Sequence, residues 1–565
     1  MAQLRRKTTS SSSKKIPNPI AKAVNRAKHS SFYHDLSLRG KHPLRLLGTP
    51  KDIWSGSVAA GTQIVSGKFL AGGHVLENPA SDQNIWPGGD VWFASNLSKA
   101  WLEYLHSFSW LKDLNQAVDQ NSAKNRAEEL IQTWIDNNTQ WGEISWRADI
   151  VGERVTNWLI YAPLIMDTED VIYRGRVLDI LARSARHLSK ISADLPEGPG
   201  ALKAIIGLTL SGLYIPFGED WLNAGLAQLR FVVGKEVLVD GGIRSRNPQE
   251  LLHVFMHMVL LRDGFNEMGQ ETPEALDEVV SKMASNLKSL IHGDGKLPLF
   301  NGAVIQNHED IYACLLKVDE DGVPIKQMEQ SGFARLEKGK TVIIADVGPP
   351  AEIDFSERCH SGTLSFELSR ENERVVVNSG DTLFLADEGP YSRQSAAHST
   401  LVLNNHCSSE LRDDGLIGRG VTKTTSQLFE EKGLILLDGE HDGYVEPYGY
   451  LHKRLIYMNE VGDDVRGEDI VEHHKMLENG SSLPFEIIFN FHPNISVTYN
   501  REQETVQLKL MSGEEWQFSC RGAKIQLADN KYFGEAGKTT PAKRIILSGN
   551  TEGAITTILW SLKLQ

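Results

Sequence analysis

Residues 360–382 read HSGTLSFELSRENERVVVNSGDT. Apolar and polar side chains alternate in TLSFELS, and a second apolar run, RVVV, follows after Glu and Asn residues; this pattern predicts two short strands. Similar segments continue to the C-terminus, among them STLVLNN, LILLDGE, FEIIFNF, TVQLKLM, RIILSG and ITTILWSLKL. A dozen or more short strands without intervening helices predict an antiparallel β-sandwich.

The chain before this region has a helical period instead. Residues 92–115, WFASNLSKAWLEYLHSFSWLKDLN, repeat aromatic and aliphatic side chains at steps of three and four, which predicts an amphipathic helix. Further helices are predicted near 119–136, 150–165, 169–191, 200–214, 219–234, 248–263 and 273–292. Helical hairpins in this number indicate a bundle, a solenoid or an incomplete (α/α) toroid, and the absence of a fixed-length repeat disfavours the solenoid.

Length and charge set the domain organisation. A chain of 565 residues exceeds what one hydrophobic core supports, so we expect two domains, at 51–320 (helical) and 321–565 (β-sandwich). The net charge is −14, yet residues 1–50 hold eleven Lys and Arg against one acid, Asp35, which predicts a basic, largely disordered tail. No nucleic-acid-binding motif accompanies this tail, so a nucleic-acid partner is not expected.

Targeting and redox features are few. The sequence has no apolar run long enough for a transmembrane segment and no signal peptide, which predicts a cytoplasmic protein. Its four cysteines lack CxxC spacing and are expected to be reduced and mostly buried. The sequence makes no prediction of oligomeric state.

Polar residues concentrate around the first predicted strands of the β-domain. They are Arg358 and His360 before TLSFELS, Asn378 after RVVV, and Tyr391, Arg393 and His398 before STLVLNN. Strand ends and their loops are where a rigid sheet can aim functional groups, so these residues are candidates for a site.

The same segments resemble the heparinase II/III-like family. HSGTLSFELSRENERVVVNSGDT and YSRQSAAHSTLVLNN are similar to the family's C-terminal pattern H-x-D-x-L-S-F-E, D-P-G and R-x-T-x-A-H-N-T, in the same order. Upstream, residues 238–265 resemble the D-G-G-H-x-x-R-S-P-x-Y-H segment, and HGDGKLPLFNGA (292–303) resembles D-G-x-L-P-x-F-N. The resemblance covers roughly residues 90–500 and implies an incomplete (α/α) toroid followed by a β-sandwich.

It also implies an activity, a carbon–oxygen lyase that cleaves a uronate-containing acidic polysaccharide or oligosaccharide by β-elimination. Such a reaction needs a group that neutralises the sugar carboxylate, a base for the C5 proton and an acid for the leaving oxygen. In this chain Arg246 and Asn247 would neutralise the carboxylate, His398 or His360 would be the base, and Tyr391 the acid. Arg246, Arg358, Arg393 and Glu250 would bind the acidic substrate.

No cofactor is required, but some family members hold a zinc through two histidines and an aspartate. The resemblance places His360 and His398 at the histidine positions and Asn378 at the aspartate position, and an amide is a weaker metal ligand than a carboxylate. His360, Asn378 and His398 therefore form the candidate zinc site.

Other departures keep two alternatives open. Glu250 and Leu251 stand where the family has Tyr and His, and 198–201 (GPGA) replaces its N-H-L-L motif. The chain is therefore either a lyase or a catalytically degenerate protein that binds an acidic glycan or serves in envelope assembly; an inverting glycoside hydrolase with Glu250 and Asp240 is a further alternative. The family resemblance makes the cell envelope or periplasm an alternative location.

Overall fold

A computed structural model describes residues 34, 36–71, 74–77, 91–92, 97–305, 308–318, 323–382, 390–474, 482–535 and 538–565. The predicted boundary at 320/321 and residues 1–33 and 35 of the predicted tail lie outside these ranges. Residues 36–50 of that tail lie against the helical domain: Arg186 donates to the Leu38 carbonyl (2.8 Å), and the Leu47 N–H donates to the Tyr214 carbonyl (2.9 Å).

The first domain is helical, as predicted. Its described helices are α1 Val58–Val65, α2 Lys99–Ser107, α3 Leu111–Leu114, α4 Gln120–Asn138, α5 Ala148–Ile160, α6 Ala162–Met166, α7 Val171–Ile191, α8 Pro199–Tyr214, α9 Glu219–Glu236, α10 Pro248–Glu267, α11 Glu274–Ser289 and α12 His308–Leu315. A short hairpin, β1 Phe69–Ala71 and β2 His74–Leu76, precedes α2 and was not expected from the sequence.

Two predicted helices are each divided in two. The helix expected over 92–115 is interrupted between α2 and α3, where Phe108 adopts a left-handed backbone (φ 59°) that ends α2. The helix expected over 150–165 breaks at Tyr161, because Pro163 in the first turn of α6 has no N–H to continue the ladder of α5. Helical periodicity predicts faces well but does not locate such breaks.

The second domain is built from antiparallel sheets. Its strands are β3 Gln327–Met328, β4 Phe333–Lys338, β5 Thr341–Asp346, β6 Phe366–Arg370, β7 Glu373–Val376, β8 Leu401–Leu403, β9 Ser409–Leu411, β10 Ile417–Gly420, β11 Thr424–Glu431, β12 Leu434–His441, β13 Tyr450–Met458, β14 Asp464–His473, β15 Pro484–Asn490, β16 Ser496–Asn500, β17 Thr505–Lys509, β18 Glu515–Arg521, β19 Lys524–Tyr532, β20 Thr540–Asn550 and β21 Ile555–Leu564, with a short helix α13 Val445–Tyr448.

The sheet order defines a sandwich. One sheet has eight strands in the order β11-β12-β13-β14-β21-β18-β17-β16, and others run β3-β4-β5-β6-β7 and β19-β20-β15-β8. The burial of β13 alternates strictly along the strand, which is what a sheet with one buried face requires. The predicted fold class, a helical domain followed by an antiparallel β-sandwich, is confirmed.

The described residues form two main hydrophobic cores, and only one of them crosses the boundary between the domains. The sandwich core packs Phe366, Phe489 and Trp560 between its sheets. The helical core continues across the boundary, because it includes Phe333 and Ile344 of the five-stranded sheet. The five-stranded sheet therefore packs against the helical domain. The polar residues at the ends of its strands lie where the two domains meet.

Candidate functional site

The candidate site lies where the start of α10, the 301–302 turn and the residues before β6 come together. Asn301 donates to the Arg246 carbonyl (3.0 Å) and accepts from the His360 N–H (3.2 Å). Next to it the Gly302 N–H donates to Nε2 of His360 (2.9 Å). This chain of hydrogen bonds ties the helical domain to the sheet at the predicted site. Because Nε2 of His360 accepts a hydrogen bond, the ring is neutral with its proton on Nδ1.

The two sheet histidines lie side by side inside the protein. The ring centroids of His360 and His398 are 4.7 Å apart and tilted by 32°. They are only 3% and 0% exposed, and burial lowers the pKa of His360 well below its ordinary value and that of His398 to about 4. Both rings are therefore neutral at neutral pH and out of contact with solvent.

Asn378 lies next to this histidine pair. The N–H of Ser379 donates to the Ala397 carbonyl (3.0 Å), which places Asn378 beside the residues before β8. Both polar atoms of the fully buried Asn378 side chain lack a protein hydrogen-bond partner, as do Nδ1 of His360 and both ring nitrogens of His398. Buried polar atoms are normally paired, so a group of unpaired polar atoms such as this one is unusual inside a protein.

These donors do not fit a zinc site. Nε2 of His360 is already used by Gly302, and a neutral amide stands where a carboxylate would complete the ligand set. Within the ranges that the structure describes, no three His, Cys, Asp or Glu side chains group in a way that could hold a metal ion. No chemistry is therefore assigned here to a metal.

Arg393 and Tyr391 are structural in their contacts. The Arg393 guanidinium donates to three backbone carbonyls, those of Cys359 (2.9 Å), Gly415 (2.6 Å) and Ser356 (2.9 Å). The Tyr391 hydroxyl donates to Oδ1 of Asn530 (2.9 Å). Both side chains anchor the loop before β8 through these hydrogen bonds, and their predicted roles in substrate binding and acid catalysis stay predictions.

Arg246 and Asn247 also form bonds within the protein, and their predicted role in neutralising a sugar carboxylate stays a prediction. Arg246 has a left-handed backbone (φ 56°), and its buried guanidinium pairs with Asp346 and donates to the carbonyls of Ser331 (2.7 Å) and Gly332 (2.9 Å). Asn247 caps α10, because its Oδ1 accepts from the N–H groups of Gln249 (2.9 Å) and Glu250 (3.1 Å). The first joins the two domains, and the second begins a helix.

Arg358 and Glu250 are partly exposed, as are Tyr391 and Arg393. The Arg358 side chain is 37% exposed, and its Nη2 donates to Asp381 (2.6 Å) and to the Gly302 carbonyl. Burial opposes its charge, but Asp381, Glu250 and Glu357 raise the pKa of Arg358. Glu250, at the start of α10, is half-buried and lies close enough to interact electrostatically with Arg358. The two residues come from different domains and approach each other where the domains meet.

The part of the helical domain around Glu250, which we call the helical wall, carries residues that the sequence did not single out as a group. Lys203 on α8 pairs with Glu153 on α5 (2.9 Å), and Glu153 also contacts Nε2 of His257 on α10 (3.2 Å). The sequence offered one signal, a single lysine inside the apolar stretch ALKAIIGL of α8. Its partner is fifty residues earlier, so no local spacing could have paired them.

A cavity of about 820 Å³ opens beside this wall. Its lining includes Trp141, Trp146, Asp149 and Glu197, together with Gly200. Gly200 lies in the 198–201 segment, where the family resemblance expects larger side chains. The combination of indole rings, carboxylates and a small residue leaves room for a ring-shaped polar ligand.

Comparison with known proteins now gives the class and the family. The fold is that of a two-domain protein with the architecture of polysaccharide lyases. Heparinase III has the same fold with a TM-score of 0.73, at 14% identity over 96% of this chain and 91% of that one. A heparan sulfate lyase HepC mutant from Pedobacter heparinus has a TM-score of 0.62, at 15% identity over 97% and 91%.

Residues 320–561 match the family model described as heparinase II/III-like, C-terminal. The β-domain of this chain is therefore a heparinase II/III-like C-terminal domain, as the sequence predicted. A relative is the FtsZ-localized protein C of Caulobacter vibrioides, 26% identical over 97% of this chain and 95% of that protein. No helix among the described residues is both long and apolar enough to cross a bilayer.

Proposed function

We propose that this chain binds an acidic oligosaccharide in the cleft between its two domains and does not cleave it by β-elimination. The observation that carries the proposal is the enclosure of His360 and His398, which are 3% and 0% exposed. β-Elimination requires a base in contact with the C5 proton of the sugar, and neither ring reaches the cleft surface. The helical domain does not replace them, since Glu250 and Leu251 occupy the Tyr and His positions.

What remains is suited to binding. Arg358 offers a partly exposed side chain, whose guanidinium matches the planar geometry of a uronate carboxylate. The neighbouring cavity adds the indole of Trp141, and aromatic faces suit the C–H faces of pyranose rings. Recognition of an acidic sugar needs a cation and an aromatic surface. Neither of these two elements requires a catalytic group.

The relative from Caulobacter suggests where such binding is used. Its name places that protein with FtsZ. We extend this location to the present chain as part of the proposal: the ligand is an acidic oligosaccharide of the cell's own envelope, and the protein serves in envelope assembly. A role in binding agrees with a protein that has kept the lyase fold but has lost accessible catalytic groups.

Replacing Arg358 with glutamine tests the binding proposal. A charge-assisted hydrogen bond contributes roughly 1.5–3 kcal/mol, so we expect Arg358→Gln to weaken binding of a uronate oligosaccharide by roughly ten- to a hundredfold. Isothermal titration with unsulfated heparosan, alginate and polygalacturonate oligosaccharides measures this. The matched control is Arg412→Gln, since Arg412 forms an exposed pair with Asp414 (2.5 Å) away from the cleft. Equal affinity of Arg358→Gln and wild type would contradict the proposal.

A lyase is the second candidate, and the proximity of Arg358 to Glu250 favours it. Arg358 would neutralise the sugar carboxylate, and Glu250 would accept the C5 proton. A carboxylate is a weak base for this proton, so we expect no increase in ultraviolet absorbance from unsaturated uronate when the protein is incubated with the same polysaccharides. A rise that Glu250→Gln abolishes would instead establish the lyase.

The glycoside hydrolase alternative loses one of its two acids. Asp240 accepts hydrogen bonds from the N–H groups of Gly242 (3.1 Å), Gln330 (3.0 Å) and Ser331 (2.8 Å). A carboxylate used in this way fixes a turn against the sheet. Glu250 therefore has no predicted partner for a two-carboxylate mechanism.

A further inference from the structure

Three neighbouring helices of the helical domain each contribute one residue to a linked group. The Lys203 ammonium lies 2.9 Å from Oε1 of Glu153, and Oε2 of Glu153 lies 3.2 Å from Nε2 of His257. The other ring nitrogen of His257 donates to the carbonyl of His253, one turn earlier on α10 (2.7 Å). Trp54 covers this ring edge-on, with centroids 5.2 Å apart. The group is anchored at its inner end by backbone and aromatic packing.

The anchored end fixes the position of Glu153. His257 is 3% exposed and the Glu153 side chain is 15% exposed, so neither moves freely. Burial opposes ionisation of Glu153, but Lys203 and His257 lower the pKa of its carboxyl well below its ordinary value. Glu153 is therefore a fixed anion whose role is to hold the Lys203 ammonium at one place.

The outer end of the group, at Lys203, is partly exposed. The Lys203 side chain is 24% exposed, and an ammonium has three donors, of which one is directed at Glu153. The other charged groups that face Lys203 are Glu250 and Asp149. Glu250 also interacts with Arg358 of the β-domain, and Asp149 lines the large cavity. Glu250 thus lies between a cation of the helical domain and a cation of the sandwich.

We propose that Lys203 is the residue with which the helical domain recognises the carboxylate of the ligand, acting opposite Arg358. The ligand is then a sugar acid whose carboxylate replaces Glu250 as the partner of both cations. Lys203 takes the place of the helical side chains that the family pattern has at 198–201 and 250–251 and this chain does not. Glu153 and His257 are positioning residues. This inference rests on the proposed function and names its specificity-determining residue.

The test compares two forms of one probe, an unsulfated heparosan tetrasaccharide and the same tetrasaccharide with its carboxyl groups reduced to alcohols. We expect Lys203→Met to bind the uronate form roughly ten- to a hundredfold more weakly than wild type, and Lys203→Arg to recover most of the affinity. The reduced form should bind weakly and equally to all three proteins, because it has no charge for Lys203 to recognise. A merely structural lysine would affect both forms alike.

Two further variants test whether misfolding or the loss of any surface lysine could explain weaker binding. Glu153→Gln combined with Lys203→Met removes both charges, so it should fold like wild type and still bind the uronate form poorly. Lys124→Met, which breaks an exposed pair with Asp167 (2.5 Å), is the surface control and should bind normally. If Arg358→Gln and wild type differ in their affinity for the uronate form but Lys203→Met and wild type do not, only the inference about Lys203 is overturned. If wild type binds no uronate probe, the proposed function is overturned with it.

Discussion

Arg246→Met is expected to lower the free energy of unfolding by about 3–5 kcal/mol, because it leaves a buried carboxylate without its partner. Asp346 is 3% exposed, and burial raises its pKa although Arg246 opposes that shift. The same guanidinium also donates to the carbonyls of Ser331 and Gly332 and stacks over Phe333. One residue of the helical domain therefore satisfies four groups of the β-domain.

Urea denaturation at neutral pH, followed by tryptophan fluorescence, measures this loss. The double variant Arg246→Met with Asp346→Leu removes both charges and should recover a large part of the stability, since the cost lies in the unpaired charge. Arg419→Met is the control; its partner Glu446 lies 3.4 Å away and both side chains are largely exposed, so we expect at most about 1 kcal/mol. A change of that small size in Arg246→Met would mean that the pair does not hold the domains together.

The fold could be predicted from the sequence because its elements repeat their patterns strongly. Helix α7 was expected over 169–191 and runs Val171–Ile191, and α10 was expected over 248–263 and runs Pro248–Glu267. Each begins after a side-chain cap, Asp170 or Asn247, that the sequence shows directly. Breaks such as that at Phe108 depend on a single left-handed residue, which periodicity does not reveal.

The site could be located but its roles could not be assigned. The sequence correctly brought His360 and His398 to one place, since both flank strands of one domain. Whether an arginine binds a ligand or a backbone carbonyl depends on acceptors far away in the chain: Arg246 reaches Gly332, 86 residues on, and Arg393 reaches Ser356, 37 residues back. Burial, which removes both histidines from the cleft, is likewise a property of the folded chain alone.

Asp469→Asn is expected to destabilise the sandwich by about 3–5 kcal/mol, because the buried Arg454 loses its only carboxylate among the described contacts. Asp469 is fully buried and accepts from Arg454 (2.8 and 3.1 Å), His452 (2.8 Å) and Trp560 (2.9 Å). Arg454 in turn donates to the carbonyl of Ser399 (2.6 Å), which is the residue next to His398. The network thus reaches the backbone next to the buried histidine pair.

The pH dependence of stability separates this charge effect from simple packing. Burial opposes ionisation, but Arg454 and the hydrogen bond from His452 lower the pKa of Asp469 from 3.8 to about 2. A carboxyl whose pKa is lower in the folded state stabilises the protein above its unfolded pKa, and this contribution is lost as the pH falls from about 4 to 2. Urea titrations should therefore show the unfolding free energies of wild type and Asp469→Asn converging over that range.

The control is Asp438→Asn, whose partner Lys453 lies 2.9 Å away on the partly exposed face of the same sheet. It should change stability by at most about 1 kcal/mol at any pH. A constant difference between wild type and Asp469→Asn down to pH 2 would show that the lost stability comes from packing and not from the ionised carboxylate.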